Sequence, residues 1–238
     1  MCTVIIRVPD APGGAVRLLA IRDEDPARPW NPLGRWWPEA HDRVIGVRDA
    51  RAGGAWLAAD PATHRLAVLL NRADVSTRPE SELQSRGGIV LDSVAGRSPA
   101  GAPPTHGFNL VEVQGSHARV LTWNGDRLRT VELEPGTHMI AHDDVDDAGT
   151  PRIARWLGDF RDADLEDGPQ WYSPWVDVLE ESTTLGSTDD RAIIRDNRPY
   201  GYPTLSLLAC VASVSADGVE LHYGELREPG HWGGLDLT

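Results

Sequence analysis

The chain has 238 residues, 40% of them hydrophobic and 25% charged, which is the balance of a folded globular protein and excludes a disordered one. A formal net charge of −13 and a pI near 5.0 exclude a nucleic-acid backbone as partner, because such binding depends on concentrated positive charge.

The first residues, "MCTV", place a cysteine directly after the initiator methionine. Trimming of Met1, the rule before so small a side chain, leaves a free amine and a thiol on Cys2. The following apolar run, "VII", is too short for a signal-peptide core or a membrane span, so no transmembrane segment and a cytoplasmic location are expected. In that compartment Cys2 and Cys210 stay reduced.

"CTVIIRV" and "VRLLAIR", separated by the structure-breaking "PDAPGGA", predict an N-terminal hairpin whose first strand starts at Cys2. "WNPLGRWWPEAHD" reads as a loop, and its paired Trp36 and Trp37 are candidates to line a hydrophobic ligand cleft. "GAWLAAD" and "RLAVLLN" predict a second hairpin, with Asn71 at a strand end. A short helix is expected in "SRGGIVLDSVAG", then a meander of "FNLVEVQG", "ARVLTWNG" and "RLRTVELEPG". The Thr-Pro start of "TPRIARWLGDF" opens a helix that sets Ile153, Trp156, Leu157 and Phe160 on one face. "SPWVDVLEES" repeats that start, and "TLSLLACVASVS" with "VELHYGEL" closes the chain as a hairpin around "ADG".

"GRSPAGAPPTHG" is a surface loop by its Pro and Gly content. "HDDVDD" lacks the glycine spacing and terminal glutamate of a calcium loop, reads as a solvated acidic turn, and gives no reason to expect a metal. The order of strands, helix, strands, two helices and strands fits an α+β protein of layered sheets covered by helices. With no break in composition, residues 1–238 form one domain.

The chemistry centres on Cys2. A free α-amine, of reference pKa about 7.7–8.0, serves as base for the thiol on the same residue. A cation close by favours thiolate, and a carboxylate orients the amine. "IRDED" offers both: Arg22 and Asp23 end the strand paired with that of Cys2, with Asp25 as a rival carboxylate. Asn109 stands early in a strand-like run where asparagine is disfavoured, which marks it for a hydrogen-bonding or substrate role.

"MCTVIIR", "AIRDEDPARP", "GGAWLAAD", "LAVLLNR", "GFNLVEV" and "LEPGTHMIAH", in that order, resemble the NRDE, or transport and Golgi organisation, family. The resemblance runs from Met1 to about Pro151 and returns weakly at "RPYGYPTLSLL". That family is similar to N-terminal-nucleophile (Ntn) hydrolases of the cysteine type, such as penicillin V acylase and bile salt hydrolase. The resemblance implies a four-layer αββα sandwich of two antiparallel sheets, with Cys2 as nucleophile, Arg22 and Asp23 as its supports, and Asn71 as a donor to the oxyanion. Three positions depart from the pattern: Ile21 replaces the first letter of the name motif, His142 an asparagine, and Pro203 an arginine. His142 can still donate a hydrogen bond near the reacting carbonyl.

The expected function is therefore hydrolysis or acyl transfer on a small amide or thioester through an acyl-enzyme at Cys2, without a cofactor. The alternative is a non-catalytic carrier of a hydrophobic small molecule, in haem or lipid trafficking, on the same fold.

Overall fold

The computed structural model describes residues 2–238; Met1, and with it the expected trimming, lies outside them. The β-branched run after Cys2 forms β1 (Thr3–Val8), which folds back on β2 (Val16–Glu24) as the expected hairpin. Alternation sorts its side chains. Val4, Ile6, Val16, Leu18 and Ala20 enter one apolar core, whereas Ile5, Leu19 and Ile21 enter another. The hairpin sits inside a five-stranded sheet completed by β10 (Gly136–Ile140), β11 (Leu205–Val214) and β12 (Val219–Glu225), in the order β10-β1-β2-β11-β12.

The second sheet is a seven-stranded meander in chain order: β3 (Trp30–Gly34), β4 (Ile45–Asp49), β5 (Ala55–Asp60), β6 (Arg65–Asn71), β7 (Phe108–Gln114), β8 (His117–Trp123) and β9 (Leu128–Glu132). All pairings in both sheets are antiparallel. The two sheets share one core, in which Val4, Ile6 and Leu18 meet Leu57, Leu66, Val68 and Val111. On the outer face of the seven-stranded sheet lies α1 (Gly87–Val94), with Val90, Leu91 and Val94 against Ala58, Ala67 and Leu110. On the outer face of the five-stranded sheet lie α2 (Pro151–Asp162) and α3 (Ser173–Ser182). The result is the αββα sandwich. No described helix is long and apolar enough to cross a membrane.

Three segments correct the sequence reading. The expected loop around Trp30 contains β3, an edge strand with an irregular register, where Pro32 is tolerated because an edge leaves one side of the ladder unpaired. β4, which the sequence reading did not anticipate, lies between β3 and β5. β10 was missed as well, because it owes its existence to pairing with β1 more than 130 residues away, as in Val4 with Ile140. The first strand also starts one residue late, at Thr3, so that Cys2 stands just before it. Trp36 and Trp37 fix their own surroundings: their indoles donate to Pro32 O and Gly53 O, each at 2.7 Å.

The helices over the five-stranded sheet are tied to it from below. α2 turns Ile153, Trp156 and Phe160 inward at helical spacing, with Leu157 partly buried beside them. Arg7, on the helix side of β1, donates to the carbonyls of Phe160, Arg161 and Ala163 at 2.8, 2.9 and 3.0 Å. These are the orphan acceptors of a helix C-terminus, where a cation is also favoured by the dipole.

At one end of the sandwich β1 begins, β2 ends, β5 begins and β6 ends. α1 is anchored there by a backbone contact, because a Cβ added at Gly54 would lie 2.3 Å from the carbonyl carbon of Gly87. Gly88, the next residue of the helix, has nothing within 4 Å of such an atom. Gly54→Ala is therefore expected to lower stability by about 1–3 kcal/mol, and Gly88→Ala to raise it by about 0.4–1 kcal/mol. Urea denaturation of both variants checks the pair, and equal effects would refute the close approach.

Candidate active site

The strand ends just described enclose a cleft of about 500 Å³. Cys2, Arg22, Asp23 and Asn71 all line it. The antiparallel register pairs Thr3 with Ile21, so Cys2, one residue back, stands level with Arg22. The thiol is 6% exposed and donates to the backbone carbonyl of Asp23 across 3.8 Å. Burial pushes its pKa above the ordinary thiol value; the Asp23 charge pushes the same way, and the Arg22 guanidinium pulls against both.

Consecutive residues of β2 face opposite sides of the sheet. Arg22, 3% exposed, continues the row of Leu18 and Ala20 toward the other sheet, and its Nη2 lies 3.4 Å from Glu24 Oε2. Nη1 of Arg22 is buried without a hydrogen-bond partner among the described residues. Asp23, 4% exposed, accepts from Ser206 Oγ at 2.6 Å and from Asn197 Nδ2 at 3.4 Å. A bulge makes this possible: β11 pairs Ser206 with Asp23 and Leu208 with Arg22, so Leu207 is an extra residue. Arg195 holds the arrangement, its N–H donating to Ser206 Oγ at 2.9 Å and its Nε to Asn197 Oδ1 at 2.9 Å. Arg152 of α2 is fully enclosed on the same side and donates to Thr3 Oγ1 at 2.9 Å. Burial first, and the charge of Arg195 second, draw Arg152 down to about 10.

Asn71 ends β6 with its side chain exposed at the cleft. Asp25 does not line the cleft; its carboxylate accepts from Ala27 N–H at 2.9 Å in the turn after β2. Asn109 is not among the residues lining the cleft but has the hydrogen-bonding role expected of it: wholly buried on β7, it donates to the carbonyls of Ala141 and Asp143 at 3.1 and 2.7 Å, pinning the chain after β10 to the second sheet. His142 lies on that pinned segment and outside the cleft lining, with Nε2 3.2 Å from Asp143. Burial and the charge of Arg152 lower its pKa and so favour the neutral ring, against Asp143, which favours the protonated one. Ile21 is packed among the apolar residues under the helices, and Pro203 is exposed before β11, so neither departure alters a cleft wall.

The "HDDVDD" turn is occupied by its own neighbours: Asp144 pairs with Arg72 and Arg129, and Asp146 accepts from Met139 N–H and meets His138. Trp36 and Trp37, expected as cleft residues, do not line it; Trp56 of β5 does. The sequence reading passed over Trp56 as a strand core residue, and passed over Arg86 in the run before α1, the Arg28–Asp49 pair at 2.6 Å, and His106 with its contacts at 3.1 Å to Asp74 and Glu80. The signal present for Trp56 is a large aromatic in a strand otherwise filled by alanine and leucine.

A family model described as Transport and Golgi organisation 2 matches residues 1–167. No curated protein matches the chain.

Two outcomes follow. Ser206→Ala removes a donor from a buried carboxylate and an acceptor from a buried N–H, and is expected to cost about 1–3 kcal/mol in urea denaturation; a neutral effect would show Asp23 satisfied without it. Because burial holds the thiol up, alkylation of Cys2 by iodoacetamide in Met1-bearing protein should rise with pH above the midpoint of a free cysteine, about 8.5. Arg22→Ala should move that midpoint higher still. An unmoved midpoint would place Arg22 outside the thiol's field.

Proposed function

The chain belongs to the transport and Golgi organisation 2 (TANGO2) family, and from that premise we propose that it is an N-terminal-nucleophile cysteine amidohydrolase or acyltransferase acting on a small amide or thioester. The observation that carries the reading is the convergence of Cys2, Arg22, Asp23 and Asn71, from different strand ends, on one cleft.

In this reading, removal of Met1 frees the α-amine of Cys2. The amine takes the thiol proton as Sγ attacks the substrate carbonyl carbon, and a C–S bond forms. Asn71, which lines the cleft at the end of β6, donates to the oxygen that gains charge, a contribution worth about 2.7–4 kcal/mol in other enzymes. As the tetrahedral species collapses, the C–N or C–S bond to the leaving group breaks and the amine returns its proton to that group. Water, or a second amine or thiol, then attacks the thioester and regenerates Cys2. Arg22 favours thiolate during attack, and Asp23, oriented by Ser206 and Asn197, holds the amine. With Met1 attached, burial raises the thiol's pKa; in the processed chain the free amine on the same residue supplies the base.

The carrier of a hydrophobic molecule is disfavoured by the walls. Arg22, Arg28, Arg51 and Arg86 share them with Asp23, Glu24, Asp49 and Glu80, and burying apolar ligand surface against such groups forfeits their hydration.

Intact-mass analysis of protein made in cells, after incubation with a panel of activated acyl probes, tests the proposal. Loss of Met1 and one acyl group on Cys2 are expected. Cys2→Ala should abolish acylation and retain the fold, and Cys210, wholly buried with its pKa raised by burial, should stay unlabelled. Full retention of Met1 with undiminished acylation would rule the mechanism out.

A further inference from the structure

Three hydrogen-bond donors on the cleft walls lack a partner that matches them. Trp56 is 7% exposed, and its Nε1 is buried without a partner among the described residues. Its position is not what strand alternation dictates. β4 pairs Val47 with Leu57 and Arg48 with Ala55, which leaves Trp56 as the extra residue of a bulge. The bulge places Trp56 with Leu57 in the inter-sheet core that also holds Cys2, whereas Ala55 and Ala58 face α1. Bulges re-aim side chains in this way beside functional sites, and a buried N–H with no acceptor is unfavourable unless something supplies one.

Arg22 contributes the second donor, Nη1, which has no hydrogen-bond partner among the described residues. The third is Arg86, half-buried at the head of α1: Nη1 donates to the neutral carbonyl of Gly107 at 2.7 Å, and the guanidinium makes no ion pair among the described residues. Arg28, by contrast, is matched by Asp49. Thus β2, β5 and the start of α1 each contribute to the walls of one cleft a residue whose donor is unmatched among the described residues.

We propose that the cleft binds substrates bearing a carboxylate, received by Trp56 Nε1, Arg86 and Nη1 of Arg22; this rests on the acyl-transfer reading above and narrows it to amides or thioesters with a carboxylate near the reacting carbonyl. The charge balance selects that anion. One unpaired guanidinium, one guanidinium shared with Glu24 and one neutral N–H suit a single negative charge spread over two oxygens, and the carboxylates of Asp49 and Glu80 on the same walls oppose a dianionic phosphate.

The test follows the indole N–H signals of the nine tryptophans by NMR in isotopically labelled protein, with the Trp56 signal assigned as the one lost in Trp56→Phe. N-acetylglycine should shift that signal saturably, and N-acetylglycinamide, its neutral counterpart, should not. Arg86→Gln, with its other indole signals unmoved as a check on folding, should weaken the titration about tenfold or more, and Arg86→Lys should restore part of it. A Trp56 signal indifferent to both compounds, or moved equally by the neutral amide or by inorganic phosphate, would overturn the carboxylate site. The titration does not use the thiol. Failure of Cys2 to acylate alongside a normal titration would therefore defeat the catalytic reading alone.

Discussion

A carboxylate buried to 4% exposure must be given donors, and the organisation of this protein around Asp23 follows from that requirement. Ser206 supplies one from β11, Asn197 another from the segment before it, and Arg195 fixes both. The arrangement needs β11 to be out of simple register with β2, which the extra Leu207 provides. It also draws the long stretch between α3 and β11, which has little regular structure, firmly into the interior: Ile193, Ile194, Arg195 and Asn197 are all buried.

Because neighbouring strand residues face opposite ways, Arg22 and Asp23 divide the two sides of one sheet between them. Asp23 and its supports occupy the side facing the helices, with Arg152 enclosed there, while Arg22 and the thiol of Cys2 share the side facing the second sheet. The backbone carbonyl of Asp23, which accepts from the thiol, links the two. A two-residue "RD" thus couples a polar network behind the sheet to a cleft in front of it.

The cleft differs from the rest of the inter-sheet space. Along most of β1, β2, β5 and β6 the two sheets are closed on each other by buried aliphatic side chains. At the end where these strands start and stop, aliphatic residues give way to arginines, carboxylates and Trp56. The close approach of Gly54 to Gly87 holds α1 against this end and with it Arg86. The polarity of the cleft is therefore a property of the strand termini, and the apolar strand interiors keep it from deepening.

Much of this was legible in the residues. β-branched runs broken by Pro and Gly marked most of the strands, Thr-Pro and Ser-Pro marked the starts of α2 and α3, and the pairing of the first two strands put Arg22 and Asp23 beside Cys2. β3, β4 and β10 were not legible: the first carries a proline that an edge strand accommodates, the second is short and interrupted by glycine, and the third is defined by a partner at the other end of the chain. For the site, sequence named Cys2, Arg22, Asp23 and Asn71 because their order and spacing resemble a known pattern. It could not choose between Asp23 and Asp25, since only the position of Ser206 and Asn197 distinguishes a carboxylate in the wall from one capping a turn. Nor could it find Trp56 or Arg86. Local sequence determines which residues alternate, turn and cap, because those depend on the neighbouring backbone; which donors meet in one void depends on bulges and sheet stacking that join segments far apart in the chain.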